Sequence, residues 1–587
     1  MQPPEQPRRE YPRPQLRRER WINLNGPWRF AFDDEDRGRE AGWTSTTEPL
    51  DREILVPFCP QAPLSGIGDR SFHDVAWYGR SFEAPPHELG ERVMLRFGAV
   101  DYSAEVWVNG KLVAEHEGGH TPFGADITNA LDGETNTIVV RAEDPGSDPA
   151  IPRGKQDWLE EPSQIFYSRT TGIWQTVWLE TVDELHLDNL RLVAKPNEAT
   201  LVVGVRLKGR RRAGTTIRAS AELDGRAAGS ATVETDDAEA AVTVHLAEPL
   251  EWWSPESPSL YDLTVEVLDA DGTRRDLVRS YFGLRTIELS GREIMLNGEP
   301  RLLRLVLDQG YWPDGLLTAP TDAALRRDIE LAKGMGFDGA RKHQKIEDPR
   351  WLFWADRLGF LVWGEMANAH KLSGPSINRT IAEWSEAVER DFNHPSVIAW
   401  VPVNESFGCR QIGDDRGSAP IAANVATALY RHTKELDPTR PALSNDGWEH
   451  TESDLCTVHD YGDADALGGR VASLDALTAP RDPPLYADGH SYRGEPVVVS
   501  EFGGVFRRAS AGFGYHVAAD DDQYLKQLAA LTHVLVASPI VSGFCYTQLA
   551  DVEHEQNGLL TDDRRPKLPL HRLRAIFGAV RTGIEIR

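Results

Sequence analysis

Cysteine is scarce in this 587-residue chain: Cys59, Cys409, Cys456 and Cys545 are scattered, with no CxxC spacing among them. That excludes a disulfide-stapled scaffold and a cysteine zinc cluster. No apolar run is long enough to span a bilayer. The first ten residues hold no apolar segment of the kind a secretory leader needs. Positive charge is in deficit: the formal net charge is -27, which argues against nucleic acid or an anionic membrane as partner. A Ser-centred nucleophile elbow, a Walker loop and a dinucleotide fingerprint are also missing. A cytoplasmic protein is the expectation.

What is abundant is length and tryptophan. The chain is too long for one core, and about three or four domains is the natural division. Seventeen tryptophans exceed common usage. Their faces suit stacking on sugars, although large all-β domains also place Trp in their cores. Residues 1–20, rich in Pro and Arg, predict an extended arm. Residues 21–182 show short strands and turns with no long helix, including the hairpin signal Asn109-Gly110, and predict a jelly-roll β-sandwich. Residues 183–284 repeat the strand rhythm over the length of an immunoglobulin-like sandwich.

From residue 285 to 587 strands alternate with amphipathic helices. Strands are expected at 302–307, 337–341, 360–363, 397–403, 441–444, 455–458, 497–500 and 541–546. Helices are expected at 321–335, 349–358, 379–392, 422–436 and 523–536. Eight such units over roughly 290 residues are the count and size of a (β/α)8 TIM barrel. The fifth and sixth strands carry the weakest signal.

Two of these strands end in acids. The apolar run Val397 to Val403 closes with Asn404-Glu405, and Val497 to Ser500 closes with Glu501 and the pair Gly503-Gly504. In a barrel of parallel strands the ligand lies beyond the carboxyl ends, so the fourth and seventh strands would present Glu405 and Glu501 across one mouth. Opposed carboxylates can protonate a leaving oxygen from one side and attack an anomeric carbon from the other. Either acid alone reads more simply as a rim salt bridge; together, at matched strand ends, they favour catalysis.

At these residues the chain resembles glycoside hydrolase family 2. The resemblance covers nearly the whole length and is carried by Thr171 to Glu180 (TGIWQTVWLE), Asn404-Glu405, Ser500 to Gly503 (SEFG) and Gly543 to Leu549 (GFCYTQL). It implies a retaining glycosidase in which Glu405 is the acid/base, Glu501 the nucleophile and Asn404 the ligand of the sugar 2-hydroxyl. Tyr461 resembles the tyrosine that hydrogen-bonds the nucleophile, against the simpler view of a buried turn tyrosine. Arg341 resembles the arginine beneath the nucleophile, a role that can coexist with a structural ion pair. His343 and His459 join the sugar-binding candidates from the same segments. Tyr546 stands where many relatives have a Trp, and Trp363 and Trp448 are further candidate sugar platforms.

The departures from the family matter too. His343 follows Arg341 by two residues where many relatives have three, and the first strand ends in Asp308, a candidate contact for a sugar hydroxyl. The β-glucuronidase members read the substrate carboxylate with an Asn-x-Lys motif, whereas Glu553 to Leu559 (EHEQNGL) is acidic and has no Lys. A neutral sugar is therefore the expectation, with a β-galactoside first. The alternatives are an α-L-arabinopyranoside, a β-mannoside, a β-glucuronide, or a carbohydrate-binding protein without catalysis. Neither metal nor cofactor is required by this chemistry. Assembly into a homo-oligomer is an expectation by analogy with the family.

Overall fold

A computed structural model of the protein describes residues 6–211, 213–409, 419–508 and 512–579. The outermost parts of the expected arm and barrel, residues 1–5 and 580–587, lie outside the described residues.

Alternation of apolar and polar residues makes the first part of the chain a two-sheet sandwich. A six-stranded sheet containing Gly26–Phe32, Val75–Glu83 and Thr135–Glu143 packs on a four-stranded sheet containing Glu91–Phe97 and Val177–Asp183. Trp28, Phe30, Tyr78, Val106, Val140 and Leu179 fill the space between them. The Asn109-Gly110 turn joins Ser103–Val108 to Lys111–Glu117 as expected, with both turn residues at positive φ. The next seven strands form sheets of three and four around Leu201, Val203, Ile217, Val265 and Val278.

The N-terminal segment is docked rather than free. Arg8 donates to Asp348 of the barrel at 2.8 Å, Arg13 and Arg18 both reach Glu180 of the first sandwich, and Arg18 also reaches Asp276 of the second at 2.7 Å. One short stretch thus straps all three units. Its basic residues, a sign of an extended arm in the sequence, are the means of attachment.

The last part forms one parallel sheet in the order fourth, third, second, first, eighth, seventh, sixth strand. These strands are Val397–Val401, Leu361–Glu365, Gly339–Lys342, Leu303–Asp308, Val541–Thr547, Val497–Gly503 and Cys456–Asp460. The fifth stave is the stretch 441–446, held beside the fourth strand by only two parallel bridges, Trp400 to Ala442 and Asn404 to Asp446. No helix separates it from the sixth strand. The outer helices follow the expected order, for example Asp322–Gly334 capped by Thr321, and Pro349–Leu358 capped by Asp348.

Strand alternation decides which side chains fill the barrel. Leu303, Leu305, Leu307, Leu361, Trp363, Ala399, Val401, Val498 and Cys545 pack inside. Val306, Val362, Trp400, Val499, Phe544 and Tyr546 face the helices. Two expectations fail on this point. Trp363 is fully buried in the barrel interior and offers no face to a ligand. Tyr546 points outward, where its hydroxyl accepts from the Val505 amide at 3.3 Å.

Candidate active site

The fourth strand breaks at Pro402, and the chain then turns sharply. Glu405 and Ser406 both adopt positive φ, 50° and 62°. For residues other than glycine this costs about 1–3 kcal/mol each and persists only where surrounding bonds enforce it. Here the Glu405 amide donates to Asp446 O at 3.0 Å, the Ser406 amide to Asn445 Oδ1 at 2.9 Å, and the Ser406 hydroxyl to Glu449 at 2.6 Å. The turn thus presents the Glu405 carboxyl to the mouth. Opposite, Glu501 lies within the seventh strand and is 6% exposed. Gly503 follows at φ 88°, where a Cβ would sit 2.4 Å from the Tyr546 ring, so that only glycine lets the strand pass.

A carboxylate oxygen of Glu405, one of Glu501 and a ring nitrogen of His459 all lie within 4.8 Å of one another. Between the two acids sits His459, with Nδ1 at 2.7 Å from Glu405 Oε1 and Nε2 at 2.9 Å from Asp446 Oδ2. The negative charges around the ring favour the imidazolium form, which donates from both nitrogens. Burial alone would lower its pKa, but the charges of Glu501 and Asp446 and the bonds to Asp446 and Glu405 push it up to about 10. This trio is the kind of cluster that can hold a metal ion. To ligate one, His459 would give up the proton it holds toward Glu405.

Arg341 is the other cation. Fully buried, it donates to Glu365 Oε2 at 2.6 Å, Glu501 Oε1 at 3.1 Å and Asn404 Oδ1 at 2.6 Å, and also pairs with Asp446. Burial disfavours its charge, yet Asp446, Glu365 and Glu501 raise its pKa well above the ordinary value. Asn404 spends its oxygen on Arg341, and its buried Nδ2 has no acceptor among the described residues. Tyr461 donates to Glu501 Oε2 at 2.5 Å and stacks on Tyr515 with ring centroids 3.4 Å apart. His343 Nδ1 lies 3.1 Å from Glu365 and 4.0 Å from Glu501; burial and then the charge of Arg341 push its pKa well below the usual value and keep it neutral. Trp448 is partly exposed and meets the His459 ring edge-on at 5.4 Å.

Asp308 does not join this group. Its carboxylate pairs with Lys342 at 2.6 Å and accepts from the Gly310 amide at 2.9 Å; Lys342 in turn pairs with Glu347 at 2.6 Å. The acid belongs to a closed ion network behind the mouth and has no free face for a sugar hydroxyl.

Four further residues belong here. Glu365 ends the third strand, and the strand-end logic that singled out Glu405 applies to it equally. Asp446 ends the weakly marked fifth stave. The third contribution is a wall supplied by the first sandwich: Trp158 and Phe166 pack around His370, and Phe166 meets Phe407, two residues beyond Glu405, at 6.1 Å. No periodic pattern marks that loop in the sequence.

Chemically, the site offers two carboxylates close enough to act on one bond. Arg341 and Tyr461 grip both oxygens of Glu501. The Glu405 Oε2 has no partner among the described residues.

Comparison with known proteins places the chain as follows. Residues 22–177 match the family description "Glycosyl hydrolases family 2, sugar binding domain", residues 185–285 match "Glycosyl hydrolases family 2", and residues 317–582 match "Glycosyl hydrolases family 2, TIM barrel domain". A β-glucuronidase of Paenibacillus borealis is 26% identical over 97% of this chain and 98% of its own length. A β-galactosidase of Thermoanaerobacter pseudethanolicus is 25% identical over 66% of this chain and 52% of its own length. Among solved structures, the β-glucuronidase of Ruminococcus gnavus in complex with D-glucuronic acid shares the fold, with a TM-score of 0.78 at 21% identity over 96% of this chain and 99% of that one.

Proposed function

The chain belongs to glycoside hydrolase family 2 and is a glycoside hydrolase; from that premise we propose that it is a retaining exo-glycosidase acting on β-D-glucuronides. One observation carries the mechanism: carboxylate oxygens of Glu405 and Glu501 lie within 4.8 Å. Retaining enzymes hold their two carboxyl groups about 5 Å apart, whereas inverting ones need roughly 6.5–9.5 Å to admit water.

In this reading Glu501 attacks the anomeric carbon as Glu405 gives its proton to the departing oxygen. Glu405 then takes a proton from water, which attacks the same carbon and frees Glu501. Arg341 and Tyr461 steady the nucleophile, His459 orients Glu405, and the free Nδ2 of Asn404 suits the sugar 2-hydroxyl. Trp448 lies where the sugar or aglycone would pass. The domain division is 21–182, 183–284 and 285–587, with residues 1–20 as the strap. A reducing, cytoplasmic setting is supported by Cys59, Cys456 and Cys545, which are buried and form no disulfide. Among the described residues no helix is long and apolar enough to cross a membrane.

The glucuronide reading displaces the β-galactoside expected from sequence. It is favoured by the relative that matches end to end, while the β-galactosidase match spans about half of that protein. The acidity that argued against a uronic acid is also spent internally. Glu553 accepts from Ser168 and Arg70, and Glu555 accepts from Tyr167 and Asn557. Burial raises the pKa of Glu555, so its negative charge is disfavoured.

The test is a panel of 4-nitrophenyl glycosides with NMR of the first-formed anomer. Hydrolysis of the β-D-glucuronide with release of the β-anomer is expected. Release of the α-anomer would exclude retention, preference for a neutral sugar would exclude the substrate, and sugar binding without any turnover would exclude catalysis. Glu501→Gln should lower turnover by about 10⁴-fold or more.

A further inference from the structure

Residues 144–171 leave the first sandwich after the strand Thr135–Glu143 and lie across the barrel mouth before returning at Gly172–Ile173. The loop is fastened there. The Gly154 amide donates to Asn368 O at 3.0 Å, and Asn368 Oδ1 accepts from the Asn404 amide at 3.0 Å. Gly154 stands at φ 62°, where a Cβ would lie 2.1 Å from Gln344 O, so the loop sits in direct contact with the barrel backbone. Farther on, Tyr167 donates to Glu555 at 2.5 Å and Ser168 to Glu553 at 2.7 Å.

This fastening brings in Lys155, which is 6% exposed. Its ammonium lies over the faces of Phe166 at 5.2 Å and Tyr167 at 5.8 Å. Among the described residues it has no hydrogen-bond acceptor and no carboxylate within ion-pair distance. The two other buried lysines differ: Lys342 pairs with Asp308 and Glu347, while Lys345 pairs with Glu347 and donates to Gly310 O and Leu317 O. The charge of Lys155 acts on Glu555 without a direct ion pair, and a buried ammonium that lacks a direct partner gains from an incoming anion.

Its surroundings locate that anion. On one side Phe166 meets Phe407, beyond Glu405; on the other, Tyr167 binds Glu555. The positive charge of Lys155 reaches His343, which sits 4.0 Å from Glu501. The cation therefore looks onto the same pocket as the two glutamates. Meanwhile the position of a lysine in an Asn-x-Lys motif is held by Leu559, buried among the outer barrel residues.

Resting on the glucuronide reading above, we propose that Lys155, carried in from the first sandwich, binds the substrate carboxylate and sets the preference for uronides. A β-glucuronide places its carboxylate at C5, away from the bond that breaks, so a cation on a loop beside the catalytic strands can hold it without touching the chemistry. Phe166 and Tyr167 keep that cation in place and exclude water from the pair, which strengthens it.

The test compares wild type, Lys155→Met and Lys155→Arg on 4-nitrophenyl β-D-glucuronide, its methyl ester and 4-nitrophenyl β-D-glucoside, with circular dichroism to establish folding. Lys155→Met should lower kcat/KM for the glucuronide about 100-fold, mainly through KM, and change the two neutral substrates by less than about threefold. Lys155→Arg should keep much of the preference, and it serves as the second probe where the Met variant folds poorly. Equal losses on all three substrates, or an unchanged glucuronide KM, would overturn the assignment to Lys155 alone. A wild type that cleaves neutral glycosides and no glucuronide would overturn both this assignment and the substrate reading beneath it.

Discussion

His459 stands 2.7 Å from Glu405, and its other nitrogen stands 2.9 Å from Asp446, so one imidazolium ties the acid/base candidate to the barrel wall. Its pKa is raised in the folded protein to about 10. A raised histidine contributes stability that is fully present below its unfolded pKa of about 6.5 and is lost as pH climbs through the folded value. The melting temperature of wild type should therefore exceed that of His459→Asn at pH 6, and the gap should narrow between about pH 6.5 and 10. A gap independent of pH would mean the ring is neutral. Turnover of the variant should fall about 10- to 100-fold, with an altered pH profile.

Tyr461 offers a cleaner separation of activity from stability. It gives one hydrogen bond to Glu501 at 2.5 Å, and its ring is held independently by stacking on Tyr515. Tyr461→Phe keeps the stack and removes the bond. A hydrogen bond to a charged group contributes about 1.5–3 kcal/mol, so kcat/KM should drop by roughly 10- to 150-fold. Circular dichroism melts should move by no more than the loss of that one bond, because the stack on Tyr515 is kept. Unchanged kinetics would remove Tyr461 from the site.

The two glutamates are legible in the sequence because an apolar, β-branched barrel strand that ends in an acid aims that acid at the mouth. Trp363 and Tyr546 mislead for the opposite reason: strand alternation, not residue type, decides whether a side chain faces the ligand, and it turns both into the packing. Asp308 misleads because its partner Lys342 comes from the neighbouring strand. The fifth stave carries a weak signal and has only two bridges, yet it delivers Asp446. Lys155, Tyr515 and Glu555 come from irregular loops, where position follows from contacts between distant segments and leaves no periodic trace.

The two candidate platforms should separate by experiment. Trp363 is fully buried inside the barrel, and its truncation to Ala should cost about 3–5 kcal/mol of stability. Trp448 is partly exposed beside His459, so Trp448→Ala should raise KM for the aryl glycoside with little change in denaturant midpoint. A stable Trp363→Ala protein with a raised KM would reverse this assignment.

Glu180 should be the most sensitive acid far from the active site. It is fully buried, accepts from Tyr11 at 2.7 Å and Trp178 at 2.8 Å, and pairs with Arg13 at 3.0 Å and Arg18 at 3.2 Å. Burial would raise its pKa, but the charges of Arg13 and Arg18 outweigh that and hold it well below the usual carboxylate range. Glu180→Gln keeps the shape and takes the carboxylate charge from Arg13, while Arg18 keeps Asp276; breaking a buried pair in this way costs up to about 3–5 kcal/mol. A depressed carboxylate contributes stability above its unfolded pKa of about 4.3 and loses it as pH falls. The melting temperature of the variant should thus lie well below wild type at pH 7, and the two should converge as the pH drops below about 4. Limited proteolysis should find the N-terminal strap released first in the variant, because Arg13 and Arg18 hold it to the first sandwich through this one side chain. Equal melting at pH 7 would show that the strap is held without Glu180.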